Sequence, residues 1–267
     1  MLGADLAGHL RCRGLSVRTW DLPEWDITRP DHLARALEDA TAVVNCAAFT
    51  RVDQAEAEPD LAMAVNAEAV GQLGQLALAK GLFVVHISTD FVFDGRGRNP
   101  YRETDAPAPL SVYGLSKHRG ELALQESGCA HAILRVEWSY GRQGANFISK
   151  FLDKARGAGE LKVVVDQFGA PTWTADSARA IRLLLEGRHT GLYHFANAGY
   201  ASRYEVATFI AQRLRLRNKI LPCRSAEFPL PAARPANSRF DTTKIQSLLE
   251  RPIRAWQTAL AEYLALL

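Results

Sequence analysis

The stretch LFVVHISTDFVFDG, from Leu82 to Gly95, decides the fold. Apolar residues dominate its first six positions without an alternating polar face, the pattern of a strand covered on both sides. The run closes on Ser88, Thr89 and Asp90. Hydroxyls at the carboxyl end of a buried parallel strand stand where open α/β sheets hold their ligands.

Working outward, strand-like runs occupy residues 16–20 (SVRTW), 42–47 (AVVNCA) and 131–136 (HAILRV), with helical patterns at 30–40, 56–80 and 113–126. This alternation predicts a doubly wound, Rossmann-like parallel sheet with helices on both faces. Thr28-Arg29-Pro30-Asp31 offers a hydroxyl cap, an early proline and an early acid, so a helix is expected to start there. Later, 162–165 and 192–196 read as strands and 174–186, 203–214 and 254–267 as helices, while 221–235, with four prolines, reads as a surface loop. The expected division is a dinucleotide-binding domain from residues 1–142 and 174–200, and a smaller α/β substrate lobe built mainly from 143–173 and 201–267.

A chain of 267 residues, 48% hydrophobic and 23% charged, has the balance of an ordinary globular protein with one large core. A net charge of +3 with no Lys/Arg run argues against a nucleic acid or a membrane surface as partner. Cys12, Cys46, Cys129 and Cys223 are widely spaced with no CxxC pair, so neither structural zinc nor a disulfide framework is expected. No apolar run approaches the ~20 residues of a membrane span and no signal-peptide pattern opens the chain, which makes the cytoplasm the expected location.

In a doubly wound dinucleotide domain the first strand leads into a Gly-rich turn, and the pyrophosphate sits on the next helix N-terminus. Met1-Leu2-Gly3-Ala4-Asp5-Leu6 already reads as that helix, with Gly3 suited to the last glycine of the turn, where helix and strand pack closely. The sheet is therefore expected to lack its first strand. Met1 is expected to be an internal methionine of a product that begins one strand and one turn earlier. Without that strand, sheet edges and apolar helix faces are left uncovered.

Tyr113-Gly114-Leu115-Ser116-Lys117 follows Pro107 and Pro109 and opens a helical segment, with Tyr113 and Lys117 one turn apart on the same face. An ammonium there favours phenolate, lowering the phenol pKa, and can also hold a cofactor ribose. Tyr113 is thus a candidate general acid, protonating a carbonyl oxygen as hydride reaches its carbon. Thr89 precedes it by 24 residues, across a loop, and can meet it at the sheet edge to hold that carbonyl. A turn or cap hydroxyl is the plainer role for Thr89, and His86 within the strand reads as a satisfied core histidine. Asp21 closes the run at 16–20; an acid there accepts from the adenosine ribose and repels a 2′-phosphate. With Leu22 and no arginine after it, Asp21 tilts the cofactor from NADPH towards NADH, though a turn aspartate looks the same locally.

With these residues in view, the chain resembles the dTDP-4-dehydrorhamnose reductase family of the extended short-chain dehydrogenases. The likeness covers nearly the whole chain: Asp26-Ile27-Thr28, Val44 to Thr50 (VNCAAFT) with Val52-Asp53 and Ala55-Glu56, Ser88 to Gly95, and Tyr113 to Lys117. It continues through Arg135, Trp138 and Tyr140-Gly141, Asp166-Gln167 with Gly169, Pro171 and Thr172, then Gly191 to His194, Arg234-Pro235 and Ser238. STDFVFDG followed by YGLSK is far more specific than a lone YxxxK.

The resemblance implies a Rossmann domain with a sugar-nucleotide lobe. It also implies hydride transfer from NADH or NADPH to the position-4 keto carbon of a dTDP-6-deoxyhexulose, giving dTDP-rhamnose. Thr89, Tyr113 and Lys117 resemble the catalytic trio. Asp26 and Ile27 would lie near adenine, Ala47, Ala48 and Thr50 along the cofactor, and Lys117 on the nicotinamide ribose. Asp90, Phe91 and Trp138 resemble sugar-contacting residues, and Arg234 would face the nucleotide. Two departures stand out: the Gly-rich turn is reduced to Gly3, and Glu137 replaces a small hydroxyl residue, either buried beside the sugar pocket or pointing outward. Some members bind metal at a dimer contact; no ligand-spaced cluster exists here, so no metal is expected, while a homodimer stays open. The competing readings are a sugar-nucleotide epimerase, which retains its cofactor, and a non-catalytic NAD(P)-binding regulatory protein on the same scaffold.

Overall fold

A computed structural model describes residues 1–157 and 159–267. Its longer strands are β1 (Ala42–Asn45), β2 (Phe83–Thr89), β3 (His131–Val136), β4 (Glu160–Val164), β5 (Gly191–Phe195) and β6 (Lys219–Cys223). The longer helices are α1 (Leu2–Arg11), α2 (Pro30–Ala36), α3 (Ala69–Lys80), α4 (Val112–Glu126), α5 (Phe147–Gly157), α6 (Thr174–Glu186), α7 (Arg203–Arg213) and α8 (Trp256–Leu264). The main sheet has the order β1-β2-β3-β5, every pairing parallel.

Residues 83–85 of β2 explain why its run is unbroken. Phe83 and Val85 point to one face and pack with Leu6 and Leu10 of α1 and Ile181 and Leu184 of α6. Val84 points to the other and packs with Leu33 of α2, Val70 and Leu73 of α3 and Leu124 of α4. All three are fully buried, and removal of side chains this size from water stabilises by about 1.5–3 kcal/mol each. A second core joins α5, α7 and α8 to the parallel pair β4–β6. Tyr140 belongs to this second core, whereas Ile245, far along the chain, packs into the first. Among the described residues no helix is long and apolar enough to cross a membrane.

Several expectations are corrected. Residues 16–20 pair with no strand among the described residues and are mostly exposed. A strand needs a hydrogen-bonded neighbour, and residues 16–20 have none: among the described residues β1, at the edge of the main sheet, pairs with β2 alone. Thr28 does not cap α2: Arg29 holds that position without a side-chain bond, while Thr28 N and Oγ1 both donate to Asp26 Oδ1. The local aspartate turn wins over the cap. The helix expected over 56–80 is broken into Val52–Ala57, Pro59–Met63 and a π-helical turn, Ala64–Glu68, before α3. Pro59, lacking an N–H, starts a new helix there. Lys219–Cys223 makes a strand through Pro222, which an edge tolerates because its missing N–H faces away from β4. α5 carried no sequence expectation.

Candidate functional site

The site forms where β2 ends and α4 begins. Ser111 caps α4, its Oγ accepting from Gly114 N at 3.1 Å, and Val112 N donates to Glu56 Oε1 at 2.9 Å. Gly114 then lies directly on the turn Asp90–Val92: a Cβ there would sit 2.1 Å from the Phe91 carbonyl oxygen. Gly120, further along α4, approaches the Asn66 carbonyl as closely, at 2.0 Å. Two glycines thus let α4 press against both the strand-end turn and the π-helical turn.

This packing brings Tyr113 beside Thr89, near enough for the Thr89 side chain to pull the phenol pKa down. The Phe91 ring meets the Tyr113 ring edge-on, centroids 5.4 Å apart. Thr89 is buried; its hydroxyl donates to Asp90 Oδ1 at 3.0 Å and accepts from Phe91 N at 3.3 Å, so it also caps the turn. Lys117 reaches under this pair, its Nζ donating to the Ile87 carbonyl at 2.7 Å and lying 3.3 Å from His86 Nε2.

The electrostatics depart from the expected lowering of the phenol. Burial pushes Tyr113 up to about 12; Thr89 pulls it down and Asp90 raises it, with no contribution from Lys117. The ammonium is turned towards the Ile87 carbonyl instead, and its own pKa falls to about 8 through burial, partly offset by Glu121 and Cys46. Asp90 is also raised by burial, against hydrogen bonds from Ser238 and Thr89.

Beyond Asp90, the two alternatives for Glu137 resolve inward. It is completely buried, accepting from Ala170 N at 2.8 Å and Phe240 N at 3.2 Å, so it ties β3 to lobe segments. Burial first, then the charge of Asp90, drives its pKa well above the usual range. Trp138 follows with a left-handed backbone, φ 43°, and its ring stacks on the Arg203 guanidinium at 3.5 Å. A bulky residue at positive φ is strained, the kind of backbone that surrounding structure must hold in place. Gly169 makes room for it, since a Cβ there would lie 2.6 Å from the Trp138 ring.

Other expected residues stand apart from the trio. Arg234 is bidentate to Asp53 at 2.8 and 2.6 Å and so links the Pro-rich segment to Val52–Ala57. Ala47 and Thr50 are exposed and Ala48 half-buried beyond β1, with Ala47 N donating to Asn45 Oδ1 at 3.1 Å. Gly3 approaches Cys46, but an added Cβ would meet its Cβ at an ordinary 3.5 Å, so the tight packing expected there is not required. Asp21 is exposed and accepts from Leu22 N, Asp26 is held low by the Thr28 bonds, and Ile27 packs beneath β1; no hydrogen bond or ring contact links them to Tyr113 among the described residues.

Sequence reasoning missed Asn66, buried in the π-helical turn, where its side chain bonds Phe49 N, Phe49 O and Ser116 Oγ. It missed Arg203 too; both are set by tertiary packing without a local motif. Ser238 had a signal, lying in a matched stretch, and donates to Asp90.

The chain matches the family described as RmlD substrate binding domain over residues 1–267. A protein of Escherichia coli K12 named dTDP-4-dehydrorhamnose reductase is 39% identical over 252 residues, 90% of this chain and 84% of its own. One of the same name from Burkholderia thailandensis is 39% identical over 277 residues, 97% of this chain and 93% of its own. A crystal structure of dTDP-4-dehydrorhamnose reductase from Bacillus anthracis in complex with NADP superposes with a TM-score of 0.95 at 32% identity, covering 100% of this chain and 95% of that one.

Proposed function

Because the chain belongs to the dTDP-4-dehydrorhamnose reductase family, we propose that it reduces the position-4 keto group of a dTDP-6-deoxyhexulose to give dTDP-rhamnose. The observation that carries this reading is the meeting of Thr89 and Tyr113 above Lys117 at the carboxyl end of β2. The relatives named above are reductases, which lends nothing to the epimerase or the regulatory reading.

The residues present fit the ribose end of a nicotinamide cofactor. Lys117 has three protons and two neighbours, Ile87 O and His86, so one donor is left for a ribose hydroxyl. When bound, the reduced nicotinamide supplies the hydride. NADPH and NADH both suit the site: the Bacillus anthracis protein holds NADP, whereas Asp21 favours NADH.

Tyr113 is the general acid. A phenol at about 12 keeps its proton at neutral pH until negative charge builds on the carbonyl oxygen beside it. Thr89 holds that oxygen. Its single proton now goes to Asp90, and the raised Asp90, once protonated, can donate in return and free the Thr89 proton for the carbonyl. Asp90, Phe91, Trp138 and Arg234 bind the sugar nucleotide, with the β4–β6 lobe as its platform and the main sheet carrying the cofactor.

The test is to mix the protein with a reduced nicotinamide and the dTDP-4-keto-6-deoxyhexulose, following cofactor absorbance and product mass. Loss of reduced cofactor with a product two hydrogens heavier is expected. Cofactor left unoxidised by protein shown to bind both ligands would end the proposal.

A further inference from the structure

Asn45 and His86 face each other directly across the parallel pair β1–β2. Asn45 Nδ2 lies 3.2 Å from His86 Nδ1, and His86 Nε2 lies 3.3 Å from Lys117 Nζ. All three side chains are buried, and His86 has no exposure at all. On its other side Asn45 accepts from the backbone N–H of Ala47, on the segment proposed to line the cofactor. A chain of contacts therefore runs from the Ala47 amide through Asn45 and His86 to the ammonium beneath Tyr113.

We propose that His86 is a positioning residue: its Nε2 accepts from Lys117 and, with the Ile87 carbonyl, fixes the ammonium where Tyr113 and a cofactor ribose need it. This rests on the role proposed above for Lys117. A satisfied core histidine needs only some partner; His86 has one neighbour on each ring nitrogen, and each belongs to a different half of the cofactor site.

The ring's protons make the assignment specific. A neutral imidazole has one donor and one acceptor nitrogen. When Lys117 is an ammonium, Nε2 must accept and Nδ1 carries the proton, so the Asn45 amide has to turn from the orientation described above, bringing its oxygen to Nδ1 and giving up the Ala47 N bond. When Lys117 loses its proton, Nε2–H can donate to Nζ and the amide stands as described above, its nitrogen on Nδ1 and its oxygen accepting from Ala47 N. The charge on Lys117 is thereby coupled to the bond that holds the Ala47 backbone. His86 itself stays neutral, since burial and then the Lys117 charge hold its pKa well below the usual value. The other titratable groups facing this pair are Glu121 on α4, Cys46 after β1 and His131 on β3.

Two variants test the proposal, His86→Phe, which removes the acceptor, and His86→Gln, whose side-chain oxygen restores one. Carbon-detected NMR of labelled lysine in the cofactor-free protein follows the titration of Lys117, and steady-state kinetics follow KM for the reduced cofactor. An acceptor stabilises the charged form, so His86→Phe should lower the Lys117 midpoint by about one unit and raise the cofactor KM about tenfold, with His86→Gln recovering most of both. Equal midpoints in the two variants, or equal losses of activity in both, would overturn the positioning role while Lys117 keeps its own. Unchanged turnover in Lys117→Met would overturn both readings. Should His86→Phe fail to fold, His86→Leu against His86→Gln provides the same contrast.

Discussion

Gly114 stands so close to Phe91 that a Cβ would come within 2.1 Å of the Phe91 carbonyl oxygen. The neighbour is backbone, held in the turn that Thr89 caps, and it cannot swing aside as a side chain could. This one approach sets how closely the first turn of α4, which carries Tyr113, lies on the turn that Thr89 caps.

Gly114→Ala should therefore push α4 off the turn. A loss of about 1–3 kcal/mol in urea denaturation is expected from overpacking, together with a fall in kcat/KM at normal substrate affinity for the lobe. Wild-type stability and activity in this variant would mean that the helix start is not what aligns the site.

Thr89 has two tasks that substitution can separate. Thr89→Ser keeps the hydroxyl for Asp90, Phe91 N and the carbonyl, and should keep most of kcat. Thr89→Val removes it and should cost about 10²-fold or more in kcat, comparable with losing one oriented donor in other carbonyl sites. Equal kinetics in the two would relegate the hydroxyl to turn-capping.

The pH dependence follows from Lys117. Burial lowers it to about 8, so its ammonium is present below that pH and lost above it, while Tyr113 at about 12 keeps its proton throughout. The kcat/KM for reduced cofactor should be level below about 8 and fall by up to about tenfold per unit above it. In Lys117→Arg the fall near 8 should vanish, because a guanidinium does not titrate there. A break that survives this substitution belongs to another group.

Glu121, one turn beyond Lys117, anchors α4 to β3. Burial raises its carboxyl, but the bidentate bond to Arg135, at 2.8 and 2.6 Å, outweighs that and leaves it at about 2. A folded pKa below the unfolded one adds stability that is present above about 4.5 and is lost as pH falls towards about 2. Glu121→Ala strands the buried Arg135 and should destabilise by about 3–5 kcal/mol, with a weaker acid dependence in denaturation. An unchanged midpoint would contradict this.

How much was legible in the sequence depended on whether the signal was local. The β2 run and the Tyr113–Lys117 spacing depend on strand and helix periodicity alone, and both elements form where expected. Residues 16–20 misled because β-branched composition says nothing about whether a partner strand lies alongside. Thr28 misled because Asp26 Oδ1 accepts from both its amide and its hydroxyl, which engages the hydroxyl in a local turn and leaves the cap position to Arg29. Asn66, Arg203 and the inward course of Glu137 were hidden, since each is fixed by a neighbour more than fifteen residues away or by a single positive φ. The direction of Lys117 was also beyond reach: spacing put it on the Tyr113 face, while the Ile87 carbonyl and His86 decide where the ammonium points.

The most direct test of a phenol acting over a strand-end hydroxyl is single-turnover oxidation of bound reduced nicotinamide by the 4-keto sugar nucleotide, wild type against Tyr113→Phe. A rate lower by about 10²–10⁴-fold in the variant, with the cofactor bound as tightly as before, is the predicted result. Equal rates in the two proteins would contradict it.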